Sequence, residues 1–124
     1  MAALSEEVIH EFNEHVGPLV FSTADVNGTP NTIYVTCASL YNPETIIIAN
    51  NRFDKTKKNI LNGSKGSLLF ITEEKVSFQI KGRIEYHESG EYFDDMKKWN
   101  PAKLPGHAAA VIKIEEIYSG ATKL

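Results

Sequence analysis

The chain has 124 residues, of which 42% are hydrophobic and 23% charged, and this composition fits one globular domain spanning 1–124. The formal net charge of −3 argues against a nucleic-acid-binding protein, which is usually basic, and no apolar run approaches the roughly 20 residues that a membrane helix needs. With Cys37 as the only cysteine and no signal-peptide pattern at the N-terminus, the chain is expected to be a soluble protein of the reducing cytoplasm.

The first third of the chain predicts a helix followed by a β-hairpin. Apolar side chains recur at helical spacing in residues 5–15, and Ser5 at the start of this segment is a good N-cap. Residues 19–24 and 31–40 alternate like strands on either side of Asn27-Gly28, the strongest short hairpin signal. We therefore expect these two strands to pair in antiparallel fashion.

Two histidines of the predicted helix could suggest a metal site. His10 and His15 are five residues apart, whereas the zinc-binding helical pattern needs a spacing of four so that both rings lie on one face. At about 100° per residue, the two rings point in different directions. We predict no metal site.

The middle of the chain predicts a strand that leads into a short helix. Three isoleucines at 46–48 are bounded by turn residues and are typical of a strand. Asp54 is a candidate N-cap for the following helix, and Gly63 stands where that helix would end. The first three predicted strands would then form a meander in front of this helix.

Cations crowd the first turn of this second predicted helix. Lys55, Lys57 and Lys58 follow Asp54, although the unpaired backbone N–H groups already make that end of a helix positive. A bound anion would offset this charge, and so would solvent in an ordinary basic turn. The residues alone leave open both a solvated turn and a site for a phosphorylated ligand. Other polar side chains expected at the same rim are Asn31, Thr32, Asn50, Asn51, Arg52 and Thr56.

The second half of the chain predicts three more strands and one helix. The strands are 67–72, 76–87 and 108–118, and the helix is 88–99. Gly82, inside the long strand, indicates a bulge or a close approach of two backbones. Six strands joined mostly by short turns predict a mainly β fold, either a small antiparallel barrel or an open α+β sheet.

No group of catalytic side chains is apparent in the sequence. No nucleophile elbow, Walker loop or dinucleotide-binding glycine motif is present. Cys37 could form a thiol pair with His87 or His107 only if the fold brought them together, and a buried structural cysteine is the expected role. What remains is the polar rim described above, whose hydroxyls, amides and cations could hold a phosphate.

Four segments carry a resemblance that covers nearly the whole chain. They are 21–32 (FSTADVNGTPNT), 47–50 (IIAN), 55–59 (KTKKN) and 78–84 (FQIKGRI). In this order and spacing they resemble the FMN-binding split-barrel family of pyridoxamine phosphate oxidase-like proteins. The resemblance implies a six-stranded antiparallel split β-barrel of Greek-key type with two or three short flanking helices.

The resemblance also implies an FMN site. Lys55 and Thr56 would hold the flavin phosphate, and the backbone of 49–51 would meet the edge of the isoalloxazine ring. Asn59 would reach the same anion or cap the helix locally, and Gln79 is either a cofactor contact or an outward polar strand residue. The residues that match cofactor positions of the family are Asn31, Thr32, Ile33, Ala49, Asn50, Asn51, Lys55, Thr56, Asn59 and Gln79.

The resemblance further implies a homodimer with the flavin at the subunit interface. FMN would accept a hydride from a nicotinamide or deazaflavin, or an electron from a protein partner. A non-catalytic module that senses or stores flavin or haem is the alternative, and a ligand-free dimerisation domain is a third hypothesis.

Two features of the chain differ from the family pattern. Ile33 stands where members often stack an aromatic side chain on the flavin, so Tyr34, Trp99 or His107 could take that role, with core packing the expected role of Trp99. True pyridoxamine phosphate oxidases are longer and end in a substrate-binding segment, so that specific activity is not expected here.

Overall fold

The structure, a computed structural model, describes residues 2–124. Over this range the chain forms eight strands and three helices. In chain order they are α1 (Glu6–Asn13), β1 (Leu19–Ala24), β2 (Pro30–Val35), β3 (Ala38–Asn42), β4 (Thr45–Asn50), α2 (Lys55–Leu61), β5 (Lys65–Ile71), β6 (Ser77–His87), α3 (Glu91–Trp99), β7 (Ala108–Ser119) and β8 (Thr122–Lys123).

All eight strands belong to one curled antiparallel sheet, which makes a half-barrel. The order across the sheet is β2-β1-β5-β6-β7-β4-β3, and β8 pairs with the end of β7. β2 and β3 follow each other in the chain, yet they form the two opposite ends of this path. The predicted mainly β, antiparallel class with flanking helices is thus confirmed.

The predicted count of six strands is wrong, because the predicted strand 31–40 is two strands. The chain changes neighbours at Thr36 and Cys37: β2 pairs with β1, whereas β3 pairs with β4. The predicted three-strand meander is wrong for the same reason. Strand propensity is local, but the choice of a pairing partner depends on the whole sheet, so the alternating pattern does not reveal the change. The short strand β8 was also missed.

The predicted first helix and first hairpin are confirmed. Ser5 Oγ accepts a hydrogen bond from Val8 N at 3.3 Å and so caps α1. In the hairpin, Asp25 Oδ1 accepts hydrogen bonds from the backbone N–H groups of Asn27 and Thr29, both at 2.9 Å. Gly28 takes a φ of +84°, which the tight turn requires and which L-residues rarely adopt.

α2 ends as predicted but begins differently. Gly63 has a φ of +91°, and its N–H and that of Ser64 return to the carbonyls of Ile60 and Asn59, as in a Schellman motif. Within residues 2–124 the Asp54 side chain makes no capping hydrogen bond. Its ψ of −84° differs from the extended conformation that points a capping side chain at the helix. The predicted cap at Asp54 is therefore wrong.

The predicted close approach at Gly82 is confirmed. The pairing of β6 with β7 shifts register between Lys81 and Gly82. A Cβ atom at residue 82 would collide with the backbone carbonyl oxygen of Lys113. Only glycine fits where the two backbones approach this closely.

β4 is buried on both of its faces. Ile46 and Ile48 pack in the main apolar cluster inside the barrel, whereas Ile47 and Ala49 pack in a second cluster with Met96 of α3. Because both faces are packed, the end of β4 is fixed in position. The residues that directly follow it enter the candidate site described next.

Candidate functional site

A cleft of about 240 Å³ opens between the β2–β3 connection and the segment that joins β4 to α2. Its lining residues are Ile33, Tyr34, Val35, Thr36, Cys37, Ala49, Asn51, Arg52, Phe53 and Leu104. Most of these side chains are apolar, and Arg52 is the one cation among them. Such a lining suits a flat apolar group with a charged end.

A polar network lies beside this cleft, at the start of α2. Asn31 Nδ2 donates to Thr56 Oγ1 at 2.9 Å, and Asn59 Nδ2 donates to Thr23 Oγ1 at 3.0 Å. Thr56 and Asn59 are only 2% and 4% exposed. We call these four residues the α2 network. Since Asn31 donates to Thr56, the Thr56 hydroxyl keeps its own hydrogen to donate elsewhere.

The cations near the α2 network remain in solvent. Arg52 and Lys55 are exposed, whereas Lys57 lies over the ring of Tyr86, with Nζ 5.7 Å from the ring centroid. Arg52 lines the cleft, and Lys55 precedes the buried Thr56 in the chain. Arg52 is thus the cation of the cleft itself, whereas Lys55 and Thr56 lie just beyond its lining, at the start of α2.

The side chains of Asn50 and Asn51 are engaged within the protein. Asn50 Nδ2 donates to Tyr86 Oη at 2.7 Å, and Asn50 Oδ1 accepts from Phe53 N at 2.8 Å. The Asn51 amide is paired with that of Asn100. The backbone is partly engaged as well, since Ala49 N donates to Cys37 O at 2.9 Å and Asn50 O accepts from His107 N at 2.8 Å. The assignment of 49–51 as backbone contacts stays a prediction.

Among the ten predicted residues, the structure brings one group together at the cleft and leaves the rest apart. Ile33, Ala49 and Asn51 line the cleft, and Asn31 lies on the same face of β2 as Ile33, as the alternating exposure of the strand shows. Asn59 is one turn from Lys55 but is bonded inward to Thr23.

Thr32 and Gln79 lie on the outer face of the sheet. Thr32 Oγ1 is 3.0 Å from Ser22 Oγ. Gln79 lines a second, more open depression of about 370 Å³. We call it the outer depression; its polar lining includes Ser22, Lys65, Ser67, Gln79, Lys81, Glu115 and Glu116. Neither Thr32 nor Gln79 lines the cleft.

Charged groups of the outer face are paired with each other. Lys65 Nζ lies 2.9 Å from Glu115 Oε1. Tyr118 Oη donates to Glu116 Oε1 at 2.6 Å. This hydrogen bond raises the pKa of the Tyr118 hydroxyl and lowers the pKa of the Glu116 carboxyl.

Another charged group lies further along β6. Glu85 accepts hydrogen bonds at 2.9 Å from His87 Nε2 and at 2.6 Å from Arg83 Nη1. The contact with His87 contributes most and that with Arg83 next, and together they lower the pKa of the Glu85 carboxyl.

Sequence reasoning missed several residues of the cleft. Phe53 was not singled out, although a lone aromatic between a cation and a turn is a usable signal. Leu104 was also missed, although it is a single apolar residue between Lys103 and Pro105. Cys37 was expected to be buried, but it is half-buried and lines the cleft.

Two candidates for the stacking aromatic are now placed. Tyr34 lines the cleft and is 75% exposed. Trp99 packs against the cluster around Met96, and its Nε1 donates to Asp95 Oδ2 at 3.1 Å. The expected core role of Trp99 agrees with this packing, and Tyr34 is the candidate that reaches the cleft.

Neither a metal-binding cluster nor a membrane-spanning helix is found in the described residues. Among residues 2–124, no group of three or more His, Cys, Asp or Glu side chains is arranged to hold a metal ion. In the same part of the chain, each helix is too short or too polar to cross a lipid bilayer.

Comparison with known proteins places the chain in one family. The family model described as pyridoxamine 5'-phosphate oxidase matches residues 5–120. The protein MJ0282 of Methanocaldococcus jannaschii is 31% identical over 121 residues, which is 94% of this chain and 80% of that protein.

Solved structures agree with this assignment. HupZ from Group A Streptococcus is 25% identical, with a TM-score of 0.82 over 94% of this chain and 93% of that one. An FMN-binding protein from Syntrophomonas wolfei is 26% identical, with a TM-score of 0.77 over 91% of this chain and 86% of that one. The resemblance seen in the sequence is thereby confirmed, and the chain belongs to the pyridoxamine 5'-phosphate oxidase family.

Proposed function

We propose that this chain is a single-domain FMN-binding flavoprotein that transfers a hydride or an electron through the bound flavin. One observation carries the proposal: an apolar cleft is lined by the exposed Arg52, and the chain runs on from this cleft into the exposed Lys55 and the buried Thr56 hydroxyl. This donor set fits a flat ring with an anionic tail. The similar structure from Syntrophomonas wolfei, described as an FMN-binding protein, supports the same ligand.

The phosphate end of the ligand would lie at the start of α2. The Thr56 hydroxyl would donate to a phosphate oxygen, and the Asn31 amide would hold that hydroxyl in its orientation. Lys55, exposed beside it, would add a positive charge that can reach the anion without being buried itself. Burial of Thr56 fixes this donor before the ligand arrives, which lowers the entropy cost of binding.

The ring end of the ligand would lie in the cleft. Ile33, Phe53 and Leu104 offer apolar contact to the ring, and Ala49 leaves room for it on β4. FMN supplies the hydride and electron chemistry when it is bound. The side chains of this protein would orient the ring and exclude water from it, so no residue is required to act as acid or base.

A homodimer would explain the two predicted residues on the outer face. Thr32 and Gln79 do not line the cleft of their own subunit. A flavin held between subunits would allow them to contact the cofactor of the partner. We therefore propose a dimer with the flavin at its interface, which light scattering coupled to gel filtration can test. The donor of electrons would be a nicotinamide, a deazaflavin or a protein partner.

An absorption spectrum of the purified protein, followed by titration with FMN, tests the proposal. We expect yellow protein, or quenching of FMN fluorescence that saturates at one flavin per chain. Colourless protein that leaves the fluorescence of added FMN unchanged would exclude the function proposed here.

Non-catalytic storage or sensing of flavin or haem is the second candidate. The same cleft and α2 network would hold the ligand in such a protein. Such a protein offers binding groups rather than reactive ones. Bound flavin that NADH, NADPH and a reduced deazaflavin all fail to reduce would favour this candidate.

A further inference from the structure

The loop 101–107, between α3 and β7, supplies one wall of the cleft through a single side chain. Leu104 is half-buried and lines the cleft, whereas its loop neighbours, Gly106 excepted, are exposed. Because the loop around it is exposed, Leu104 keeps this inward position only if contacts of the loop backbone with the rest of the protein fix the loop.

A pair of facing amides fixes the loop to the end of β4. Asn51 Nδ2 donates to Asn100 Oδ1 at 3.0 Å, and Asn100 Nδ2 donates back to Asn51 Oδ1 at 3.0 Å. Asn51 Oδ1 accepts a further bond from Gly106 N at 2.9 Å. We call these three residues the amide clasp. Asn100 is only 8% exposed, so its hydrogen bonds are largely shielded from water.

Two more features hold the loop to the same place. Lys97 Nζ of α3 donates to the Pro105 carbonyl oxygen at 3.0 Å. Gly106 has a φ of +51°, and a Cβ atom there would lie 2.9 Å from Asn100 Nδ2. Glycine at this position therefore lets the backbone come close enough for Gly106 N to donate to Asn51 Oδ1.

We infer that Asn51 and Asn100 are positioning residues that act through Leu104. The amide clasp fixes the loop 101–107 so that Leu104 packs against the ring of the bound flavin. The inference rests on the function proposed above and names the ligand-ordering element of that same site. Neither asparagine side chain has to touch the ligand, because both amides are engaged with each other.

A double-mutant cycle on FMN affinity tests this inference. Leu104→Ala removes the apolar wall, and we expect an FMN Kd about tenfold weaker, as for the loss of a partly buried leucine contact. Asn100→Ala breaks the clasp and should weaken binding to a similar extent. Because both changes remove the same contact, the double variant should bind no more weakly than the weaker single variant.

A matched control is available in the turn before β4. Asn42 Oδ1 accepts a hydrogen bond from Glu44 N at 2.9 Å, so Asn42→Ala also removes an asparagine that holds a backbone, but it lies outside the cleft. Its FMN Kd should equal that of the wild type. Single effects that multiply in the double variant would overturn the inference, and so would a Leu104→Ala protein with unchanged affinity.

A second measurement needs no substitution and covers the case in which Asn100→Ala does not fold. Exchange of the Gly106 amide hydrogen, followed by NMR in wild-type protein, should slow on saturation with FMN, because the ligand packs against the clasped loop. Exchange that FMN leaves unchanged contradicts the inference while the proposed function stands. Wild-type protein that does not bind FMN overturns both.

Discussion

The α2 network and the outer depression are both polar, and both contain predicted site residues, yet they are built differently. In the α2 network, Asn31, Thr56 and Asn59 are bonded to fixed partners, and Thr56 and Asn59 are almost fully buried. In the outer depression, the charged groups stay partly or largely open to water; Lys65, for example, keeps 72% of its side chain exposed in its ion pair with Glu115. Buried, bonded groups keep one geometry in the absence of a ligand, whereas exposed groups are free to rearrange.

This difference predicts unequal responses to substitution. Changes in the α2 network should affect both stability and ligand affinity. Changes to exposed side chains of the outer depression should matter only when a partner covers them. The following predictions run from the largest expected effect to the smallest.

Gly82→Ala tests the close backbone approach at the outer depression. The added Cβ would collide with the Lys113 carbonyl, which belongs to the backbone of β7 and cannot turn aside. We expect a loss of about 3 kcal/mol or more in unfolding free energy, since large values arise where backbone is overpacked. Urea unfolding measures it.

The control for this change is Gly120→Ala, where φ is +58° but a Cβ would meet nothing within 4 Å. It should cost only about 1 kcal/mol, the strain of the left-handed conformation. Equal losses of unfolding free energy in the two variants would contradict a steric conflict between a Cβ at residue 82 and the Lys113 carbonyl.

Asn59→Ala tests whether the α2 network stabilises the fold. The change leaves the buried Thr23 hydroxyl without its partner and opens a small cavity. We expect a loss of about 2–3 kcal/mol in unfolding free energy. The exposed Asn27→Ala should change it by less than about 0.5 kcal/mol. An Asn59→Ala protein as stable as the wild type would show that the residue is kept for ligand binding alone.

Lys55→Ala tests the exposed side of the same region. We expect FMN binding to weaken by about 1.5–3 kcal/mol, the range for a hydrogen bond to a charged group, with no loss of stability. Fluorescence titration at fixed salt concentration measures the Kd. Lys98→Ala, which removes an exposed lysine of α3, is the matched control. Identical FMN Kd values for Lys55→Ala and Lys98→Ala would contradict a role for Lys55 in FMN binding.

Gln79→Ala tests whether the outer depression contributes to a shared site. The monomer should lose no measurable stability, because this side chain is partly exposed. If the flavin lies between subunits, FMN affinity should fall by about 0.5–1.5 kcal/mol, the range for a neutral hydrogen bond. An unchanged FMN Kd in a protein shown to be dimeric would restrict the site to one subunit.

Glu85 predicts a small dependence of stability on pH. Its pKa is lowered from 4.5 in the folded protein by His87 and Arg83, so its contribution is present above that value and is lost as pH falls through the lower folded pKa. Exposure of the pair limits the effect to about 1 kcal/mol or less. Glu85→Gln should therefore be slightly less stable than wild type at pH 7, with the gap closing as the pH falls below 4.5. A gap that widens on acidification would contradict the assignment.

Local signals allowed much of the fold to be predicted. β1 has the predicted bounds, and Ser5, Gly28, Gly63 and Gly82 play the predicted parts because capping, turns and close backbone approach depend on a few neighbouring residues. The pairing partners of the strands could not be predicted in this way. The change of neighbours at Thr36 and Cys37 depends on how the ends of the sheet meet, which no short pattern encodes.

The site could be predicted only in part for the same reason. The proximity of Asn31 and Thr56, 25 positions apart, was expected from the family resemblance. The orientation of Asn59 toward Thr23, and the turn of Leu104 into the cleft, follow from packing between distant segments. An asparagine on a helix looks the same in the sequence whether it faces a ligand or the core.

The change of neighbours at Thr36 and Cys37 has a further consequence for how the barrel opens. It makes β2 and β3 the first and last strands of the sheet, and residues 33–37, which span this junction, form one side of the cleft. A ring seated there would rest on the seam of the barrel, where the chain itself, rather than a ladder of hydrogen bonds, joins the two edges. The binding energy of the cofactor would then oppose separation of β2 from β3. Loss of the cofactor should therefore first loosen the structure where these two strands meet.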